Sequence, residues 1–207
     1  MSPEPVTAER TYQRLKLDIL FGRFQPGQLV VSQMIAEEFG TSISPVRDAM
    51  QRLVGERLIG HREGGGFEVP PLTAHGLRNL YIWHGQVVRL AAKQRDNAAL
   101  DSNLRTRIEA LDPDDSFGIV HRTVDLFRDI GNASRNIEHG LAIGAIGDRL
   151  FAARLKEHGL RDRKQELIAV WDAIISGPDP TVRDVLWAYH RRRIRRADAL
   201  VRVFYTR

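Results

Sequence analysis

Cysteine is absent from the 207 residues, which excludes disulfides and thiolate metal sites outright. No apolar run approaches the length of a membrane span, and the opening "MSPEPVTAER" lacks a secretory pattern. A soluble, cytoplasmic protein with no membrane partner is therefore the expected class. The chain also has no "HExxH", no phosphate-binding glycine loop and no cysteine nucleophile, so an enzyme is not expected. A metal-dependent enzyme built on the histidine-bearing C-terminal part is the remote alternative, and it would need a convergent ligand set. Internal repeats and low-complexity tracts are missing as well.

What is present suits one domain or two modest ones, with 43 % hydrophobic and 28 % charged residues. A net charge of +5 points towards nucleic acid. Its distribution does not: residues 1–70 hold 8 Lys/Arg against 9 Asp/Glu, leaving 23 against 17 for residues 71–207. Any nucleic-acid contact by the N-terminal part must come from local placement of charge.

The N-terminal pattern predicts a helix carrying Tyr12, Leu15, Ile19 and Leu20, stopped at Gly22 and followed by a "QPG" turn. A short helix follows, capped by Ser32 and closed by Gly40, with Met34, Ile35 and Phe39 facing inward. In "SISPVRDAMQRLVGERLI", Ser44 has the oxygen an N-cap needs and Pro45 fits the first turn. Val46, Ala49, Met50, Leu53 and Val54 then point inward, and Arg47, Asp48, Gln51 and Arg52 outward. "GHREGGGFEVPP" predicts two short strands around a glycine turn.

Beyond residue 71 the pattern is helical, with helices expected at 73–95, 98–111, 116–130, 133–157, 161–176 and 180–204. The expected fold class is mainly α. It comprises an N-terminal winged helix-turn-helix with a small β-hairpin wing (1–71) and a C-terminal antiparallel six-helix bundle (72–207).

Two short helices joined by a tight turn, the second opening on small polar residues, can present that second helix to a major groove. Ser42 and Ser44 permit close approach, the helix N-terminus favours a phosphate, and Arg47 can reach a base edge or phosphate. With these, "GRFQPGQLV", "IAEEFGTSISPVRDAMQRLVGERLI" and the "GGGFEV" hairpin resemble the winged helix-turn-helix of GntR-type bacterial transcriptional regulators. That resemblance implies a dimeric, ligand-responsive repressor on operator DNA with two-fold-related half-sites. The implied DNA-binding residues are Gln33, Ser42, Ile43, Ser44, Pro45, Arg47, Gln51, Arg52, His61, Arg62, Gly65 and Gly66. Gln33 and Ile43 stand where the family usually has arginine. Ile43 either touches a thymine methyl or packs inward.

"NLYIWHGQVVRLAA", "DLFRDIGN", "QELIAVWDAIISG" and "AYH" resemble the effector-binding and dimerising FCD domain of the FadR subgroup. The resemblance implies a small carboxylate effector and, often, a divalent metal held by one Asp and three His. Here the ligand positions fall near Ile119 and Thr123, at Leu167, and at His190. His121 with Asp125 is the nearest substitute pair, so the metal candidates are His121, Asp125 and His190, with no cofactor firmly expected. The position of the subgroup's carboxylate-binding arginine is His84, near Arg89. The expected effector pocket is thus His84, His121, Asp125 and His190. The alternative is a protein of the same fold whose C-terminal domain is degenerate and effector-blind, acting as a DNA-binding or interaction protein.

The arginine-rich end, "HRRRIRRADALVRVFYTR", has two readings. It either approaches DNA flanks or an acidic partner, or packs Ile194, Ala197, Leu200, Val201 and Phe204 and leaves its arginines in water, as charge runs usually do. Trp83, Trp171 and Trp187 are expected in the core or at a dimer contact.

Overall fold

The computed structural model describes residues 5–206, with side chains from residue 8 onward. The chain divides into two compact units, Met1–Leu72 and Thr73–Arg207.

In the first unit α1 (Pro5–Leu20) packs on α3 (Ile43–Gly55), with α2 (Ser32–Phe39) beside them. Leu15, Val46, Met50 and Leu53 have no solvent exposure and form the centre of this core. Each such side chain contributes about 1.5–3 kcal/mol of burial. α2 ends on Gly40 in the left-handed conformation (φ 63°). There a side chain would cost backbone strain.

Three expectations are corrected here. Helix α3 starts two residues earlier than Ser44 predicts: Ser42 is its N-cap, and Pro45 lies in the first turn but is buried. At α2 the N-cap is Val31 rather than Ser32, and Met34 is 65 % exposed while Ala36 takes the inward position. The inward stripe of this eight-residue helix is only wide enough for Ile35 and Ala36. Finally, the wing has three strands. β1 (Leu29–Val30), β2 (Gly60–His61) and β3 (Phe67–Glu68) form an antiparallel sheet in the order β1-β3-β2, with Val30 opposite Phe67 and Phe67 opposite His61. Two residues of "QLV" gave too short a pattern to read as a strand.

The second unit comprises α4 (Ala74–Lys93), α5 (Leu104–Glu109), α6 (Ser116–Asn132), α7 (Ile137–Leu155), α8 (Arg163–Ser176) and α9 (Asp179–Tyr205). α4 packs along α9 and α7, α6 along α7, and α8 along α9. Thr73, Asp115 and Asn136 cap three of these helices, accepting bonds from the amides of Gly76, Gly118 and Glu138.

Two helices are shorter than predicted. Residues 97–103 are turned aside because Asp96 and Asp101 accept bonds from the amides of Ala98 and Asn103, competing with the helix ladder. Residues 133–136 are drawn into bonds with the α4 exit, with Asp96 N donating to Ala133 O (2.8 Å) and Arg135 N to Gln94 O (3.1 Å). The arginines of α9 are not all in water: Arg193 is 1 % exposed. It is covered because its i−4 and i+4 neighbours, Tyr189 and Ala197, belong to the buried stripe. No helix among the described residues is long and apolar enough to cross a membrane.

Candidate functional site

Helix α3 exposes Ser42, Ser44, Arg47, Asp48 and Gln51 along one flank, with Ile43 half-buried at its start. Ser42 makes no side-chain cap bond, so the first amides of the helix keep free donors at its positive end. Across from this flank lies the wing. Its tip is closed by Arg62 N donating to Gly66 O (3.1 Å) and Gly65 N to Arg62 O (3.0 Å). Gly64, Gly65 and Gly66 all have φ near +90° (88°, 102° and 89°), which only glycine adopts without strain.

Between helix and wing is a concavity of about 470 Å³. Leu29, Val30, Val31 and Ser32 form its floor, Arg47 and Gln51 one wall, and Arg62, Gly65, Gly66 and Phe67 the other. The sequence reading missed the β1 floor. It did name the wall residues Arg47, Gln51, Arg62, Gly65 and Gly66, but not Phe67.

Charge placement inside this unit is selective. Arg14 and Arg23 meet Glu38, Arg23 also meets Asp18, Lys16 meets Glu56, and Arg52 meets Glu9. Arg47 and Arg62 are exposed and make no side-chain ion pair among the described residues. The two guanidiniums facing the concavity are therefore free for an external anion.

Other sequence-derived candidates lie differently. Arg52 is folded back on α1, its guanidinium 3.6 Å from the Tyr12 ring centroid and 2.7 Å from Glu9, which holds the Glu9 carboxyl below its usual range. Pro45 is in the core and cannot touch a ligand directly. Gln33 is exposed and donates to Glu37 (2.9 Å). His61 is exposed beside the Phe67 ring.

In the helical unit the structure joins only part of the expected pocket. His84 and His190 are both buried, with His84 Nδ1 2.8 Å from His190 Nε2. His190 Nδ1 lies 2.7 Å from the Leu186 carbonyl, which can only accept, so Nδ1 carries the proton. Burial, with Arg193 and Arg154 adding to it against the Leu186 bond, lowers the His190 pKa to about 3. Burial and then Arg154 hold His84 well below its ordinary value. Both rings are neutral. His190 Nε2 then accepts from His84 Nδ1, leaving His84 Nε2 a bare acceptor facing Arg154 Nη2 at 3.4 Å.

His121 and Asp125 are not part of this pair. His121 lies between the Phe117 and Phe151 rings, and Asp125 pairs with Arg122 beside a separate surface cleft. Among the described residues no three His, Asp or Glu side chains converge on a metal position. The donor chemistry does not suit one either. Ile119 and Leu167 are buried aliphatics, Thr123 donates its hydroxyl to Ile119 O, and Arg154 puts a cation against the histidine pair.

Sequence reasoning also missed the charged core beneath this pair. Glu157, fully buried after α7, accepts from Tyr81 Oη (2.7 Å) and Arg193 Nε (3.1 Å), and lies 3.3 Å from Arg163 Nε. Arg193 also reaches Glu166 at 3.0 Å. Arg154 follows Gly147 and Leu150 on the buried stripe of α7, the only signal by which it could have been found.

Comparison with known proteins gives the following. Residues 7–69 match the family model described as bacterial regulatory proteins, gntR family. Over 70 residues the chain is 36 % identical to the HTH-type transcriptional regulator YdhC of Bacillus subtilis, covering 34 % of this chain and 31 % of that protein. It is 28 % identical over 76 residues to the HTH-type transcriptional repressor GlaR of Escherichia coli, covering 37 % and 34 %. The matches thus span about a third of these curated relatives. Among solved structures, a GntR-type protein from Rhodococcus sp. RHA1 aligns over 93 % of this chain and 97 % of its own, with TM-score 0.78 and 19 % identity. E. coli McbR/YncC aligns over 97 % and 99 %, with TM-score 0.69 and 19 % identity. These two share the fold.

Proposed function

From the premise that residues 7–69 form a domain of the gntR family of bacterial regulatory proteins, we propose that the whole chain is a sequence-specific, DNA-binding transcriptional regulator. The observation that carries this reading is the concavity between α3 and the wing, where the unpaired Arg47 and Arg62 face one another's walls. A major groove admits a helix. Placing α3 there sets Arg47 at base edges or a phosphate and brings Arg62 and the glycine tip against the flanking backbone.

The reading extends to the whole chain as follows. The protein is a cytoplasmic homodimer acting as a repressor on two-fold-related half-sites, because a single small winged module buries too little surface for strong specific binding. The helical unit, residues 72–207, is of the FadR-subgroup type and supplies the dimer contact and an effector pocket for a small carboxylate. Its support is the outer flank of α4, where Ile82, Trp83 and Leu90 are 43, 50 and 52 % exposed, as expected of an apolar surface awaiting a second copy. A ligand then acts by shifting the relative arrangement of two DNA-reading units.

The test is selection of bound fragments from genomic DNA, followed by anisotropy titration of the enriched site. An enriched palindrome and a loss of about 1–3 kcal/mol in Arg47→Ala support the reading. Random fragments, or unchanged affinity in Arg47→Ala, overturn it. Arg52→Ala serves as the internal control, since Arg52 is engaged by α1.

A further inference from the structure

Helix α9 ends in a cationic face that the fold itself does not use. Residues 185–206 hold six arginines and one acid, Asp198. Three of the arginines are engaged within the helical unit. Arg191 lies over the Trp187 ring (4.4 Å to its centroid), Arg192 pairs with Glu166 (2.9 Å), and Arg193 with Glu157 and Glu166. Asp198 is taken by Arg78 of α4. That leaves Arg195, Arg196 and Arg202, all exposed and without a side-chain ion pair among the described residues. Seven residues apart, Arg195 and Arg202 share one face of the helix, about 10 Å from each other along its axis, with Arg196 on the adjoining flank.

The surroundings of this face decide what it fits. Ala188 and Ala199 are exposed and small, so a chain of phosphates can come close. The apolar side of α9 is already spent, with Val182, Leu186, Ala197 and Leu200 buried. Val203 and Tyr205, exposed near the helix end, fall on opposite flanks of the cationic face. A membrane-surface helix needs a continuous apolar face beside its cations, and a protein interface needs an apolar centre. A duplex needs neither, because its backbone carries one charge per about 1.7 Å of axis and cations alone supply affinity. Two further observations favour a duplex. Residues 1–70 hold 8 Lys/Arg against 9 Asp/Glu, and Arg14, Lys16, Arg23 and Arg52 are held by carboxylates of their own unit. In addition, α4 and α9 run antiparallel, with His84 against His190 and Arg78 against Asp198. The free arginines therefore sit by the start of α4, where the chain enters the helical unit at Thr73.

We propose that the face of α9 built on Arg195 and Arg202, with Arg196 at its flank, is a second DNA-binding surface, one that grips the phosphate backbone of a duplex without reading its sequence. Its guanidiniums donate to phosphate oxygens and release the counterions condensed there. The proposal rests on the reading of the chain as a DNA-binding protein.

The experiment is an anisotropy titration of the full chain on a mixed-sequence duplex across a series of sodium chloride concentrations. The double variant Arg195→Gln with Arg202→Gln is expected to flatten the plot of log Kd against log salt by about 0.9 for each arginine. Between about 50 and 200 mM salt, wild type then loses about tenfold more affinity than the variant. Both side chains are exposed, so the variant is expected to keep the wild-type melting temperature. Arg128→Gln with Arg161→Gln removes the same charge from exposed positions elsewhere on the helical unit and is expected to leave the slope as in wild type. An unchanged slope in the α9 variant, or an equal flattening in the control, overturns the surface. So does an α9 variant that loses binding to polyglutamate or to phosphatidylserine vesicles while its duplex binding stays intact. Arg47→Ala, titrated in parallel on the enriched operator, separates the two readings. A flattened slope in the α9 variant with Arg47→Ala unaffected keeps this surface and removes α3 as the reading helix. A loss in Arg47→Ala with no change in the α9 variant keeps α3 and removes this surface.

Discussion

Replacing Glu157 by glutamine tests the charged core of the helical unit most directly. The amide keeps the shape of the side chain and an oxygen for Tyr81 Oη, now 2.7 Å away, but removes the charge that faces Arg193 at 3.1 Å and Arg163 at 3.3 Å. A charge pair at about 4 Å is worth roughly 4 kcal/mol at an effective dielectric of 20. Two such pairs are lost, while the cost of burying the carboxylate, several kcal/mol, is recovered. Arg193 retains Glu166 at 3.0 Å, whereas Arg163 retains only the Arg154 carbonyl. The net loss is about 3–5 kcal/mol, the range found when one member of a buried ion pair is removed. Urea denaturation read by tryptophan fluorescence measures it cleanly, because Trp83, Trp171 and Trp187 all lie in the helical unit. A loss under about 1 kcal/mol would refute the reasoning. So would a double variant, Glu157→Gln with Arg163→Met, that is no more stable than Glu157→Gln alone.

Further outcomes follow from the same geometry. The neutral His84 and His190 have pKa values below the unfolded value of 6.5, so the unfolded chain takes up protons first: stability is complete above about pH 6.5 and falls on acidification, by up to about 1.4 kcal/mol per pH unit for each imidazole. Urea melts between pH 6.5 and 5, where carboxylates remain ionised, check this; a slope unchanged in His190→Gln contradicts it. Gly131→Ala forces α6 and α7 apart and is expected to cost about 1–3 kcal/mol from overpacking, exceeding the helix-propensity gain of about 1 kcal/mol. Gly144→Ala, facing open space, is expected to gain about 0.5–1 kcal/mol, so the two substitutions differ in sign in the same melt.

Much of the N-terminal unit was legible in the sequence because its signals are local. Gly40 marks a helix end, the glycine run marks a turn, and the i, i+3, i+4 spacing of Val46, Ala49, Met50 and Leu53 marks a buried face. Errors arose where a partner distant in sequence decides the outcome. Arg52 lies on the outward face of α3 but is claimed by Glu9 and Tyr12 of α1, forty residues earlier. Arg193 reads as one of a solvated charge run until Glu157 and Glu166 are folded against it. In the helical unit His84 and His190 were both named for one pocket, together with His121 and Asp125, but neither their direct contact nor the cation beside them was expected. Arg154 became buried because the stripe of α7 runs on through it, and nothing in residue type announces that. His121 and Asp125 share a helix turn, yet one turns to rings and the other to Arg122, so spacing alone misassigned them.

The glycine tip of the wing has a consequence for information content. Three successive residues without side chains can address a double helix only through peptide groups, and a peptide N–H donates alike to any phosphate it meets. On the proposed reading, base changes in the DNA beneath the tip should be nearly silent, and discrimination between competing genomic addresses would fall to the few base pairs spanned by α3. A vocabulary that short recurs by chance, so the proposed dimer would have to read it twice at a fixed spacing.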